Sequence, residues 1–181
     1  MWVQNGLDWP IWDSFWTESG PRVEPTPQIP TREAPRGMYT AKFDDRGRLK
    51  LPTDFQRYLE IFREKFFVTS LDRRVAHVYP MYLWRQNEAL FESYRDDPTV
   101  AQNIAFTANE LGSETEMDGQ GRILFSAELR EALGIDQQQI HLYYNRGRID
   151  VLSEAVYKAR RERASATPED DVRKMEGAGL R

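Results

Sequence analysis

Cysteine is absent from the 181-residue chain and histidine occurs only twice. Without thiols there is no structural disulfide, no thiolate metal site and no cysteine nucleophile, and nothing in the composition marks an exported protein. His77 and His141 each lie in an alternating strand pattern and read as strand residues, not as a catalytic pair. Gly119-Gln120-Gly121 is too short to be a dinucleotide fingerprint, and no phosphate-cradling glycine loop or metal-ligand spacing occurs elsewhere. The sequence therefore calls for no metal, no cofactor and no enzymatic activity. Long apolar runs are also missing: none approaches the ~20 residues a membrane helix needs. The amino terminus, Met1 to Gly6, lacks the basic and apolar regions of a signal peptide, so a soluble cytoplasmic protein without membrane contact is expected. Positive charge is in deficit as well, with 25 Lys and Arg against 29 Asp and Glu, a net charge of −4 and a pI near 5.4. That balance excludes polyanion binding over the whole surface, so any nucleic-acid contact must come from local patches.

What the chain does have is a pattern written twice. Asp44-Asp45-Arg46-Gly47-Arg48 and Asp118-Gly119-Gln120-Gly121-Arg122 share Asp-x-x-Gly-Arg at an offset of 74 residues. The same offset aligns Leu49 with Ile123, Leu51 with Phe125, Phe55 with Leu129, Leu59 with Leu133, Phe66 with Ile140, Val68 with Leu142 and Val75 with Ile149, without a gap. Such ungapped agreement of hydrophobic phase indicates an internal duplication.

Hydrophobic period gives each half the order strand, turn, strand, helix, hairpin, helix. Tyr39, Ala41 and Phe43 alternate into the first turn, and Leu49 and Leu51 continue beyond it, with Gly47 where positive φ is needed. Thr53 and Gln56 have capping-box spacing at the head of a helix carrying Phe55, Leu59 and Phe62. Strands are expected over Phe66 to Ser70 and Val75 to Tyr79, then helices from Met81 to Tyr94 and from Val100 to Leu111. The second half repeats this order, with Ser126 as a helix cap and a final helix from Glu154. We therefore divide the chain into an arm (1–36), a first repeat (37–112), a second repeat (113–164) and a tail (165–181) whose weak patterning suggests fraying.

The arm holds four of the five tryptophans, Trp2, Trp9, Trp12 and Trp16, followed by a proline-spaced stretch from Pro21 to Pro35. Helical spacing of Trp9, Trp12 and Trp16 fits packing on the protein's own body or a neighbouring subunit, docking onto a protein partner, or an in-frame extension from a misassigned start.

In the repeated turns, a carboxylate at the first position can accept the turn's own amides and hold the arginine across it in a charge-assisted pair. On that reading Asp44, Gly47, Asp118 and Gly121 are structural. The functional candidates are cations: Lys42, Arg46, Arg48 and Lys50 fall at alternate positions about Gly47, which in extended backbone puts them on one face. The equivalents around the second turn are Glu116, Gln120, Arg122 and Leu124, so only Arg122 keeps the charge. The first turn reads as either a phosphate-contacting patch or an ordinary solvated face, and the second as its scaffold.

The run Phe43 to Pro52, Val78-Tyr79-Pro80, and Met117 to Leu124 with Leu129-Arg130 closely resemble the MraZ family, bacterial transcriptional regulators of the division and cell-wall gene cluster; the likeness extends from about Arg36 to Tyr157. The resemblance implies an α+β, swapped-hairpin (double-split) AbrB-like β-barrel built from two tandem β-β-α-β-β-α repeats, with peripheral helices. It further implies subunits joined in a homo-oligomeric ring that binds repeated boxes of double-stranded DNA at the promoter of its own cluster, hence a nucleoid-associated protein. The family's DNA-facing basic residues carry over to Arg46 and Arg48, to which spacing adds Lys42 and Lys50, with Arg122 as the second turn's candidate. The chain departs from the family in its arm, in Ser126 where proline is frequent, in Leu152 where tryptophan is frequent, and in Gln120 at the second turn's basic position. A reading of a different class makes the body a structural ring and the arm its working surface for a protein partner.

Overall fold

The computed structural model describes residues 33–62 and 64–181, so the readings attached to the tryptophan-rich segment lie outside the described residues. The first alternating stretch forms β1 (Tyr39–Ala41), and after the Asp44–Arg48 turn the chain continues as β2 (Arg48–Lys50). Helix α1 (Thr53–Leu59) buries Phe55, Tyr58 and Leu59. The expected capping box is not formed there: the helix starts after Pro52 without a side-chain cap, and Gln56 Nε2 donates instead to the Leu51 carbonyl at 2.5 Å. Strands β3 (Phe66–Thr69) and β4 (Val75–Pro80) are buried along their whole length. Helix α2 (Met81–Ser93) follows, and α3 (Pro98–Leu111) starts two residues before the expected Val100 because Pro98 fits the first helical turn and Asp97 caps it, accepting from the Thr99 and Val100 amides at 3.1 and 3.3 Å.

The order then recurs as β5 (Ser113–Thr115), β6 (Arg122–Leu124), α4 (Ala127–Leu133), β7 (Ile140–Asn145), β8 (Arg148–Ser153) and α5 (Glu154–Ala164). Ser126 caps α4 by accepting the Leu129 amide at 3.2 Å. The weakly patterned tail forms a further helix, α6 (Pro168–Gly177), with Glu169, Asp170 and Asp171 in its first turn and Lys174 in its last. These charges complement the helix dipole. No residue of α6 is buried, which is why hydrophobic period gave no signal for it.

The strands form one antiparallel six-stranded sheet in the order β1-β7-β8-β4-β3-β5 and a separate antiparallel ribbon of β2 with β6. The expected barrel is not closed. β1 and β5 are the two ends of the ladder and do not pair with each other, because each is only three residues long before its glycine turn carries the chain off the sheet and into the ribbon. The pairing is interleaved: β1 lies on β7 and β5 on β3, so the edge strand of each half is laid against the hairpin of the other. Tyr39 opposes Leu142, and its counterpart Ser113 opposes Val68; Val75 opposes Leu152, and Ile149 opposes Val78. Each pair maps onto the other by the offset of 74 residues found in the sequence.

The ribbon lies on the axis of that correspondence, since Leu49 opposes its own counterpart Ile123. Both side chains are fully buried in one core that also takes Phe55, Val68 and Val78 from the first half and Phe125, Leu129, Leu142 and Ile149 from the second. A smaller cluster of Phe67, Tyr79, Trp84 and Ala108 seats α2 and α3 on the sheet.

Truncating Leu49 or Ile123 to Ala should each cost about 2–5 kcal/mol by the lost burial and the cavity left behind. The double variant should show a coupling of about 0.5–3 kcal/mol, because the two side chains share one site. Urea unfolding measures all three, and strictly additive losses would contradict direct packing of the pair.

Candidate nucleic-acid interface

Each Asp-x-x-Gly-Arg segment folds into the same hydrogen-bonded turn. Asp44 Oδ1 accepts the amides of Arg46 at 3.0 Å and Arg48 at 2.9 Å, while its Oδ2 takes the Arg48 guanidinium through Nε at 2.8 Å and NH2 at 2.7 Å. Asp118 repeats the arrangement with the amides of Gln120 at 2.9 Å and Arg122 at 3.0 Å, and with Arg122 Nε at 2.8 Å and NH2 at 2.7 Å. Backbone bonds from Gly47 N to the Asp44 carbonyl and from Gly121 N to the Asp118 carbonyl, both 2.9 Å, close the loops. The Arg48 guanidinium, helped by the turn amides, holds the Asp44 carboxyl down to about 2, and Arg122 lowers Asp118 in the same way. Because Asp44 titrates below its ordinary 3.8, its contribution to the folded turn is full above that value and is lost only as pH falls through about 2.

The two turns also hold each other. Leu51 N donates to the Gly121 carbonyl and Phe125 N to the Gly47 carbonyl, both at 3.0 Å, and Arg122 NH1 stands 4.0 Å from Asp44 Oδ2. Gly47 and Gly121 both adopt φ of +73°, and each lies under a side chain from the helix of the opposite half. A Cβ at Gly47 would come within 2.6 Å of the Arg130 guanidinium, and one at Gly121 would meet the Gln56 amide. Arg130 is fixed there by a 3.2 Å bond from Nε to the Phe125 carbonyl and by an ion pair with Asp136. Gln56 and Arg130 were not singled out from the sequence as site residues, although they are 74 positions apart and so carry the same repeat signal as the turns they cover.

Register decides which cations come together. The ribbon places Arg48 opposite Leu124 and Lys50 opposite Arg122, so all four project from the face away from buried Leu49 and Ile123. Lys42 and Lys50 border one open cleft with Tyr39, Pro52 and Gln56. Arg46 is exposed in the first turn, and its second-turn counterpart Gln120 is exposed but neutral. Arg48 and Arg122 are half-buried and already bound to the turn carboxylates, which pre-orients their guanidinium groups. Lys42, Arg46 and Lys50 enter no ion pair among the described residues. The arrangement can therefore do one thing chemically: present fixed N–H donors and mobile cations to an anion over the first turn and the outer ribbon face.

The histidines lie apart from this surface. His77 Nδ1 is 2.8 Å from Asp150 Oδ1 in the sheet interior, where Arg148 Nε and Asn145 Nδ2 also reach the carboxylate at 2.7 Å. Burial would push Asp150 up, but His77, Arg148 and Asn145 outweigh it and hold the carboxyl well below the usual range. His141 Nε2 sits 2.7 Å from Glu154 Oε2 under a stacked Tyr157 ring. Both are paired strand residues. Among the described residues no cluster of His, Asp and Glu is placed to hold a metal ion, and no helix is long and apolar enough to cross a membrane.

The chain is similar to named proteins. The chain is 38% identical over 102 residues to the transcriptional regulator MraZ of Koribacter versatilis, covering 55% of this chain and 69% of that one. It is 31% identical over 137 residues to the transcriptional regulator MraZ of Acidobacterium capsulatum, covering 75% and 93% respectively. The corresponding protein of Moorella thermoacetica is 33% identical over 107 residues, covering 58% and 71%. No family model matches the chain.

Two neighbouring glycines differ in whether a side chain is tolerated. Gly121→Ala, which forces both positive φ and a clash with Gln56, should destabilise the fold by about 1–3 kcal/mol. Gly119→Ala has open space around it and should stay within about 0.5 kcal/mol of the parent. Equal unfolding midpoints in urea for the two variants would contradict the clamp.

Proposed function

The chain belongs to the MraZ family, and on that premise we propose that it is a sequence-specific, DNA-binding transcriptional regulator that contacts duplex DNA through its first Asp-x-x-Gly-Arg turn and the outer face of the β2–β6 ribbon. The observation that carries this reading is the unequal dress of two equal turns. Lys42, Arg46 and Lys50 surround the first turn, whereas Glu116, Gln120 and Leu124 occupy the corresponding places around the second. Hydrogen bonding keeps both turns alike, so the difference lies wholly in what they offer to solvent.

A two-stranded ribbon fits the B-DNA major groove, which is about 12 Å wide. In that pose Arg48 and Arg122, held by their carboxylates, supply directed donors, while Lys42, Arg46 and Lys50 supply charge for the phosphates. Interleaved strand pairing at one offset supports reading the body as a swapped-hairpin, AbrB-like fold of two fused repeats, 37–112 and 113–164, each completing the other. One chain then does the work of a dimer. Few phosphate contacts per chain are compatible with its acidic balance if subunits assemble in a ring and bind repeated boxes, because linkage raises avidity by about 10²–10⁴. The target in this reading is the promoter of the protein's own division and cell-wall cluster.

The test exchanges the dress of the turns. Lys42→Glu, Arg46→Gln and Lys50→Leu together give the first turn the second turn's residues, and should weaken operator binding at least 100-fold at fixed salt. Each lost phosphate contact should also lower the slope of log K against log salt by about 1. Gln120→Arg with Leu124→Lys should strengthen binding, and native mass spectrometry should find the same oligomer in every variant. Undiminished, salt-sensitive binding by the triple variant would overturn the assignment.

A further inference from the structure

The halves differ at a second place, and there the difference creates a cleft. The β3–β4 turn, Asp72-Arg73-Arg74, lies beside α5, and between them is a recess of about 120 Å³ lined by Asp72, Arg74, Val156, Ala159, Arg160 and Arg163. That is room enough for a tetrahedral oxyanion. None of the three guanidinium groups is paired with a carboxylate among the described residues. The one acid in the lining, Asp72, is engaged by its own turn: Oδ1 accepts the amides of Arg74 at 2.9 Å and Val75 at 3.0 Å, and the Ser70 hydroxyl at 3.3 Å. Arg160 is held in place by a 2.5 Å bond from NH1 to the Tyr143 hydroxyl and by its position over that ring, 5.7 Å from the centroid.

The corresponding place in the other half is filled differently. There the β7–β8 turn meets α2, and a Cβ at Gly147 would come within 2.8 Å of the Leu83 side chain and 3.7 Å of the Tyr82 hydroxyl. At the offset of 74, Gln86 stands for Arg160 and Ala89 for Arg163, while Arg148, the counterpart of Arg74, is turned to buried Asp150 and Tyr79. Arg74, Arg160 and Arg163 therefore stand together on the α5 side alone, all three exposed and beside half-buried Val156, where each can donate to an anion.

We propose that the recess between the β3–β4 turn and α5 is a phosphate-binding site, with Arg74, Arg160 and Arg163 as its ligands. It is built from different elements than the β2–β6 ribbon and does not depend on the ribbon's role. A phosphate group can reach it from the backbone of bound DNA or from a free phosphorylated molecule.

The experiment uses the full chain and three variants: Arg160→Gln with Arg163→Ala, which installs the counterpart residues of α2; Arg163→Ala alone, which spares the Tyr143 contact; and Lys174→Gln, an exposed cation of α6 outside both sites. Inorganic phosphate and pyrophosphate are titrated calorimetrically, and duplex affinity is measured across a salt series, with thermal unfolding as the check on folding. The parent should bind phosphate or pyrophosphate. Arg163→Ala should weaken that binding at least fivefold and the double variant at least tenfold, while Lys174→Gln leaves it unchanged. A duplex salt slope lowered by about 1–2 in the double variant assigns the phosphate to DNA; an unchanged slope assigns it to a free ligand. Folded double variant indistinguishable from the parent in both titrations, or no anion binding by the parent together with an unchanged salt slope, overturns the proposal.

Discussion

Everything in the described body depends on the way each glycine turn is closed by the opposite half. The turn at Asp44 cannot be completed by its own repeat: its glycine carbonyl is satisfied by Phe125 N, and its glycine lies under Arg130. The turn at Asp118 depends in the same manner on Leu51 N and Gln56. An aspartate inside each loop satisfies the loop's amides and binds its arginine, so the loop arrives at this junction already shaped. A side chain at either glycine would meet both a disfavoured φ and a packed neighbour, which leaves glycine as the fitting residue. Edge strands laid on the other half's hairpin, and a core drawn from both halves, follow from this exchange.

Correspondence in the scaffold makes divergence on the surface informative. Ladder pairs, turn bonds and glycine contacts repeat at a fixed offset, so positions that differ are not differing for the sake of the fold. Charge around the first turn and the open recess beside α5 are two such positions. In both, one half keeps cations free of carboxylate partners at positions the other half has changed: Glu116, Gln120 and Leu124 around the second turn, and Gln86 and Ala89 on α2. A chain with net charge −4 gains no general affinity for polyanions from this, only two places at which a phosphate is locally favoured.

Much of this was legible in the sequence, for reasons that are local. Alternation about the turns predicts the short strands, and the Asp-x-x-Gly-Arg spacing predicts the carboxylate-to-amide bonds because donor and acceptor lie within four residues. The offset aligns Leu49 with Ile123 as equivalents, but that these two strands pair with each other across the ribbon emerges only in the fold. What escaped is set by distance along the chain. Gln56 has the spacing of a capping partner, but the Leu51 carbonyl, beside the incoming Gly121, takes its amide. Arg48 reads from sequence both as the partner of Asp44 and as one of the surface cations, and its guanidinium is bound to Asp44. Openness of the sheet depends on where β1 and β5 end relative to each other, which no local pattern states. The recess joins Arg74 to Arg160 and Arg163 from separate repeats, so neither stretch signals it alone. Helix α6 buries no residue, and its apolar pair Val172 and Met175 is too short a stripe to stand out among its many charges.

The central claim is that two turns alike in structure are unlike in use. Amide hydrogen exchange of the full chain, free and bound to a duplex carrying its operator, tests this most directly, because both turns are read in one sample. The account predicts that binding slows exchange over residues 42–50 and leaves the segment from 116 to 121 close to its free rate, apart from the ribbon strand at Arg122. Equal slowing of both turns, or slowing confined to the second, would contradict it.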